Sequence, residues 1–514
     1  MRSLRLITGL SVAVLLSGCA LGPNFVPPNP GLPATSFFAG ATHKPVVSTR
    51  VALAPVSPDW WALFHDHELI ALEHRVAVAN LDVRTATVRL AESRYQRGVT
   101  ASALFPSLSD NGSYERQGIS QNGILGLFAS ATPGSEAGGS FGTGTGGIPG
   151  NLLAPFSLWQ QGFDASWELD IWGQVRRQVE AADADSDVAA DQRRGALVSA
   201  LAEVARDYMQ LRGIQEQIRI AQDNVKTESN ILDITKERQK TGVVTGLDVE
   251  NAAAQVDSVR ATIPDLQRQE SEAINAVSLL LDEPPGGLAA ELVTPRAIPP
   301  QPPRIPVGIP ADLARRRPDV RQAEAQLHEA TADIGVAVAS FYPTVTLNGS
   351  VGFQALDLKN LWKGSSLQYA LGPGVTMPLF EGGKLTSMLN LRTAQQQEAW
   401  INYHETVLKA WHDVVNALVA YRTEAARHRV LLQQIDHAGK ALDLARSRYR
   451  DGVEQFVTVL DAERTLLSAQ RQGAQSATNI AVNIVALYKA LGGGWEYNFP
   501  PEPHPPLTAA LPGL

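Results

Sequence analysis

The chain has 514 residues, 44% of them hydrophobic, an ordinary content for a folded protein that excludes disorder as the default. Its 44 Lys and Arg against 52 Asp and Glu leave a net charge of -8 without a long basic run, so the footprint of a nucleic-acid partner is missing.

At the N-terminus, Arg2 and Arg5 precede the apolar run from Leu6 to Leu16, too short to span a bilayer but right for a secretory signal, predicted over residues 1–18. Leu16, Ser17, Gly18 and Cys19 follow in an order that resembles the lipobox of bacterial lipoproteins, whose cysteine is acylated after cleavage. Cys19 is the only cysteine, so an internal disulfide is excluded. Acyl chains there would hold the mature protein to a lipid bilayer, at about 0.8 kcal/mol per buried methylene. Ala20 stands where lipoproteins retained in the inner membrane generally carry Asp, which favours the outer membrane. Residues 19–58 are then a lipidated, Pro-rich segment.

Residues 59–282 and 310–495 read as two structural halves. Leu232 to Val243 recurs as Leu442 to Val453, 210 positions on, and Phe105 to Ser113 is matched by Tyr342 to Ser350, 237 positions on. The first half thus carries 27 additional residues, assigned to the Gly-rich stretch 118–150, a predicted surface loop. Strands are expected where apolar and polar residues alternate: Leu108 to Gln117, Phe163 to Ile171, Pro343 to Phe353 and Leu367 to Leu379. Proline-free stretches, Gln174 to Thr241 and Lys384 to Asp451, predict helices of about 100 Å at ~1.5 Å per residue. Val407, Trp411, Val414, Leu418, Tyr421, Ala425, Leu432, Ile435 and Leu442 give a heptad-like seam, mirrored from Leu197 through Gln215 and Gln222 to Leu232. Gly242 and Gly452 suit C-terminal caps, after which a second helix returns to about Asp282 or Leu491. Residues 283–309 are a Pro-rich linker and 496–514 a Pro-rich tail.

Enzyme readings find little support. Residues 138–147 are Gly-rich, but no Gly-Lys-Ser/Thr follows, as a phosphate loop requires. Two Asn-Gly-Ser triplets read as strand and turn sequence rather than glycosylation acceptors. The cluster His65, Asp66, His67 lacks a third spaced ligand and reads as a helix cap, and His404, His412, His428 and His437 lack the spacing of zinc proteases. Neither a metal nor another cofactor is expected.

The residues together resemble the outer-membrane factor channels of tripartite efflux systems, TolC-like and of the NodT lipoprotein type that serves resistance-nodulation-division pumps. The resemblance is carried by Cys19 with Gly22-Pro23-Asn24-Phe25, by Trp60-Trp61 with Leu63-Phe64, and by Trp167-Glu168-Leu169-Asp170 before Gly173. It continues in Pro310-Ala311-Asp312-Leu313 and Arg315-Arg316-Arg317-Pro318-Asp319-Val320-Arg321; taken alone, that arginine run reads as a solvated face before a helix begun by Pro318. It implies an α+β homotrimer: four strands per chain in a twelve-stranded β-barrel, long helices in a periplasmic α-helical barrel. Four strands alone leave two open edges, which lipid does not tolerate, so copies must pool them. The implied partners are a periplasmic adaptor (membrane fusion protein) and an inner-membrane resistance-nodulation-division transporter, with the chain as passive exit duct. The implied gate lies at Val457, Asp461 and Arg464, and the implied adaptor contacts at Gly242, Val243, Asp248, Gly452 and Val453. An ordinary intrahelical pair between Asp461 and Arg464 is the competing reading of that site. The rival functions are a periplasmic coiled-coil lipoprotein, which leaves the strands unexplained, and the duct of a type I protein secretion system.

Overall fold

The computed structural model describes residues 20–32, 37, 51–52, 54–118 and 155–499. The predicted signal, Cys19, most of the 118–150 loop and the tail from residue 500 lie outside them.

The expected strands form one antiparallel sheet in chain order: β1 (Ser107–Gln117), β2 (Phe156–Leu169), β3 (Thr344–Ala355) and β4 (Leu367–Thr376). The helices longer than one turn are α1 (His67–Ala79), α2 (Leu81–Ser102), α3 (Gln174–Lys240), α4 (Gly246–Arg260), α5 (Thr262–Leu280), α6 (Pro318–Ala339), α7 (Lys384–Arg450) and α8 (Phe456–Ala490). α3 and α7 contain 67 residues each and begin 210 positions apart. Among the described residues, no helix is long and apolar enough to cross a membrane.

The chain divides into two compact units. Of the described residues, one holds 20–25, 96–118, 155–182 and 330–394 and contains the sheet. In it, Asp170 starts α3: its carboxylate accepts from the free first-turn amides of Val175 and Arg176, both at 3.0 Å. The other holds 26–32, 37, 51–52, 54–95, 183–329 and 395–499. Its core packs Trp60, Trp61 and Phe64 with Leu197, Leu201, Tyr208, Val414, Leu418, Ile484 and Tyr488. Asp66 caps α1, accepting from the amides of Glu68 and Leu69 and from Tyr208 Oη at 2.7 Å, in keeping with the cap reading.

Three expectations need correction. The seam slips: Leu432 and Gln222 are exposed, whereas Leu431 and Ala221 beside them are buried. The buried residues of this stretch are Leu431, Ala438, Leu442 and Ala445, spaced seven, four and three, so the strict heptad line beside Leu442, through Ala438 and Ala445, runs through Leu431 rather than Leu432. Of the arginine run only Arg315 is solvated; Arg316 pairs with Glu496 at 3.0 Å, and buried Arg317 binds Asp319, Asp413 and the Ala490 carbonyl. The packed chain also extends past residue 495, because Phe499 lies against the core of this unit and Glu496 holds Arg316.

Glu73 on α1 is fully buried and neither carboxylate oxygen has a hydrogen-bond partner, so burial holds it well above the usual carboxyl range. The folded chain keeps a proton that the unfolded chain releases near pH 4.5, so stability falls by about 1.4 kcal/mol per pH unit above that value until the folded group ionises too. Glu73→Met is expected to be more stable than wild type, with a gain that widens from about pH 5 to neutrality. Unfolding curves that keep a constant separation over that range would refute the assignment.

Candidate functional site

Three features bear on function, and the first is the sheet. Because paired residues of an antiparallel sheet share a face, the register groups Leu108, Tyr114, Trp159, Phe163, Trp167, Leu347, Val351, Tyr369, Leu371 and Val375 on one side. That face is open and mostly apolar, with Tyr369 81% and Leu371 79% exposed; its charged and amide side chains, Asp110, Gln161 and Arg116, lie on the first two strands, where Gln161 donates to Asp110. The opposite face carries Ser109, Asn111, Asp164, Ser166, Glu168, Asn348 and Ser350, joined in part by Asn111 Nδ2 to Asp164 Oδ2 at 2.6 Å and Ser166 Oγ to Asn348 Oδ1 at 2.9 Å. The strands contain 10 to 14 residues, enough for the ~9–11 that a tilted strand needs to cross a bilayer. β1 and β4 are open edges.

The second feature is the strap that follows Cys19. Leu21 N donates to the Trp172 carbonyl at 3.1 Å, and Gly173 is packed so closely on Ala20 that an added Cβ would lie 2.7 Å from its Cα. Buried Arg177 then donates to the Leu21 carbonyl at 3.0 Å and to Asn24 Oδ1 at 2.7 Å. Gly22, at φ +90°, meets Gly335 with no room for a side chain on either residue. These contacts explain the Gly22 to Asn24 motif. Trp172 also stacks near Tyr342 with ring centres 4.9 Å apart and donates to the Pro343 carbonyl at 2.8 Å, so the strap starts beside paired aromatic rings at the strand ends, as in a membrane-interface belt.

The third feature is the pair of helix turns. α3 and α7 each end in a Schellman motif: Gly242 (φ +72°) and Gly452 (φ +76°) donate to Gln239 and Tyr449, and Val243 and Val453 reach back to Arg238 and Arg448 at 3.0 Å. The two valines are 66% and 68% exposed. α4 opens with a capping box in which Asp248 Oδ2 accepts from Thr245 N at 3.0 Å, so this carboxylate is already engaged in its own turn. α8 opens on Gln455, whose side chain caps nothing.

α8 buries Phe456, Val459 and Leu460 against Ala252, Leu442 and Ala445. Val457, Asp461 and Arg464, at i, i+4 and i+7, all lie on its exposed side. Among the described residues no ion pair joins Asp461 to Arg464; Arg464 Nε instead donates to neutral Gln255 Oε1 at 3.0 Å. The ordinary intrahelical pair is therefore not formed. The sequence reading missed buried Glu228 and Glu463 beside this turn. The available signal was the spacing of Glu228, seven residues after Ala221 on the true seam.

The sequence profile of the outer membrane efflux protein family matches residues 72–282 and 309–493. Antibiotic efflux pump outer membrane protein ArpC of Pseudomonas putida is 30% identical over 491 residues, 95% of either chain. Nodulation protein T of Rhizobium leguminosarum bv. trifolii is 29% identical over 94% of this chain and 96% of its own. Among solved structures, the outer-membrane channel OprN superposes with a TM-score of 0.80 at 31% identity, covering 93% of this chain and all of that one. The open MtrE outer membrane channel of Neisseria gonorrhoeae gives 0.71 at 27%, covering 93% of this chain and 99% of that one. With a matched sheet, long paired helices and sequence over nearly its whole length, the chain belongs to the outer membrane efflux protein family.

Proposed function

We propose that the chain acts as a homotrimer, three four-stranded sheets closing one twelve-stranded barrel through which a pump's cargo leaves the cell. The observation that carries this reading is the sheet itself, with one exposed apolar face, one polar face and two edges that lipid requires to be paired. Exposed Leu81, Val88 and Tyr95, seven residues apart on α2, supply an apolar stripe for contact between copies. Internal two-fold repetition is supported by the equal lengths of α3 and α7 and their matching terminal turns. The exposed turns at Gly242-Val243 and Gly452-Val453 are the proposed contact for a periplasmic adaptor, which links the duct to an inner-membrane resistance-nodulation-division transporter. Asp248 serves that contact through the turn it caps. Val457, Asp461 and Arg464 are the proposed gate. The purified protein is expected to migrate as a trimer and to conduct ions across planar bilayers; a monomer without conductance rejects the reading.

Cys19 is the proposed lipid anchor, a role that fits the neighbouring strap beside Trp172 and Tyr342. Mass spectrometry of the mature N-terminus is expected to find acylated cysteine, and Cys19→Ser to accumulate unprocessed in cell fractions. An unmodified N-terminal cysteine would remove the proposal.

A further inference from the structure

Behind the exposed face of α8 lies a buried acidic pair that neither the fold nor conduction requires. Glu228 of α3 and Glu463 of α8 are each only 4% exposed. Glu463 Oε1 accepts from Arg446 Nη2 of α7 at 3.1 Å. Its second oxygen, Oε2, has no nitrogen or hydroxyl donor, and the carboxyl group facing Glu463 is that of Glu228. Arg446 bonds to Glu463 and, among the described residues, no arginine bonds to Glu228, so one proton held between the two buried carboxyl groups is the arrangement that satisfies both. Burial, and then the neighbouring Glu463, hold Glu228 far above the ordinary carboxyl range, at about 8.

The other charged groups around the pair are few. Arg464 on α8 and Arg446 on α7 favour the ionised form. Asp223 on α3 lines the same cavity, but is paired with Arg219 at 2.8 Å. α4 contributes neutral Gln255, which accepts from Arg464. The cavity has a volume of about 200 Å³ and is lined by Glu228, Glu463, Arg446, Asp223 and Gln470, giving the proton an exit to water.

We propose that Glu228 and Glu463 form a proton-operated latch that fastens α8 to α3 directly behind Val457, Asp461 and Arg464, closed while one proton is shared and released when it is lost. In the closed state Glu228 donates its O–H to Glu463 Oε2 while Glu463 keeps its ion pair with Arg446. Loss of that proton to water breaks the hydrogen bond and leaves two buried anions facing each other, only one of them bonded to an arginine, so α8 is pushed from α3. A more acidic periplasm thus tightens the tip and an alkaline one loosens it. The effect on conduction rests on the gate assignment above; the latch itself does not.

The test is hydrogen-deuterium exchange of the intact full-length protein at about pH 6, 7.5 and 9, corrected for intrinsic rates, together with conductance in planar bilayers at the same pH values. Release of one proton predicts that protection of peptides spanning residues 456–466 falls up to roughly tenfold per pH unit above the midpoint. Glu228→Gln and Glu463→Gln, each retaining a neutral donor, are expected to hold protection level across the range. Wild-type protection that does not change with pH overturns the latch, and so does a wild-type slope in Glu228→Gln. Should both variants fail to assemble, the wild-type pH series decides alone. Protection that falls while conductance stays constant leaves the latch standing and rejects the gate.

Discussion

Glu68→Ala is expected to lower the unfolding free energy by about 3–5 kcal/mol, because it strands a buried cation. Arg212 on α3 is 0% exposed, and its guanidinium donates to Glu68 Oε2 at 2.7 Å, to Gln215 Oε1 at 2.6 Å and to the Thr294 carbonyl at 3.0 Å. Arg296 approaches the same Glu68 oxygen at 3.0 Å. Glu68 therefore ties α1 to α3 and to the segment after residue 282, and alanine leaves the Arg212 charge without a counterion in a site closed to water. Desolvation makes the intact pair weakly stabilising at best, so Glu68→Leu with Arg212→Met is expected to recover most of the loss. Denaturant unfolding of the purified variants measures both. A single-mutant loss below about 1 kcal/mol would mean that water reaches the guanidinium after all.

Alanine at both Asp461 and Arg464 is expected to raise single-channel conductance severalfold, to weaken cation preference and to let bulky antibiotics leak into cells. Among the described residues Arg464 donates to the neutral Gln255 amide and Asp461 has no ion-pair partner, so both charges can reach neighbouring copies around a symmetry axis. A ring of such carboxylates concentrates cations in a narrow pore, and arginines one turn on can bridge adjacent chains and hold them together. Val457, 52% exposed and small, supplies less apolar closure than a longer side chain would, which leaves more of the work to the charged residues. Unchanged conductance and selectivity in the double variant would put the constriction elsewhere.

Much of this architecture was legible in the sequence because it depends on short-range patterns. Alternation from Val345 to Phe353 follows from one face meeting an apolar environment, and the strand is found at Thr344–Ala355. Gly242 and Gly452 mark turns because both sit at positive φ, where a side chain is strained. What stayed hidden depends on partners far along the chain. Arg317 looked solvated until Asp413 and the Ala490 carbonyl closed over it. Glu228 and Glu463 are ordinary polar residues in sequence, and only the packing of three helices makes them a pair. The choice of Leu431 over Leu432 and of Ala221 over Gln222 is made by the neighbouring helices they pack on and has no local signature. At the candidate site the family resemblance pointed to the α8 turn, but only the coordinates separated its exposed face from the buried one.

The unequal starts of α4 and α8 make one turn of the molecule a stiff joint and the other a soft one. Thr245 and Asp248 satisfy each other's amides, whereas the first amides of α8 have no side chain to bind, a difference of about 1 kcal/mol in the cost of fraying the first turn. Thermal motion therefore unravels the helix that bears Val457 and Asp461 several times more often than its counterpart. A pull applied equally to both turns is then spent at the second one, and the first serves as the fixed point against which the second moves.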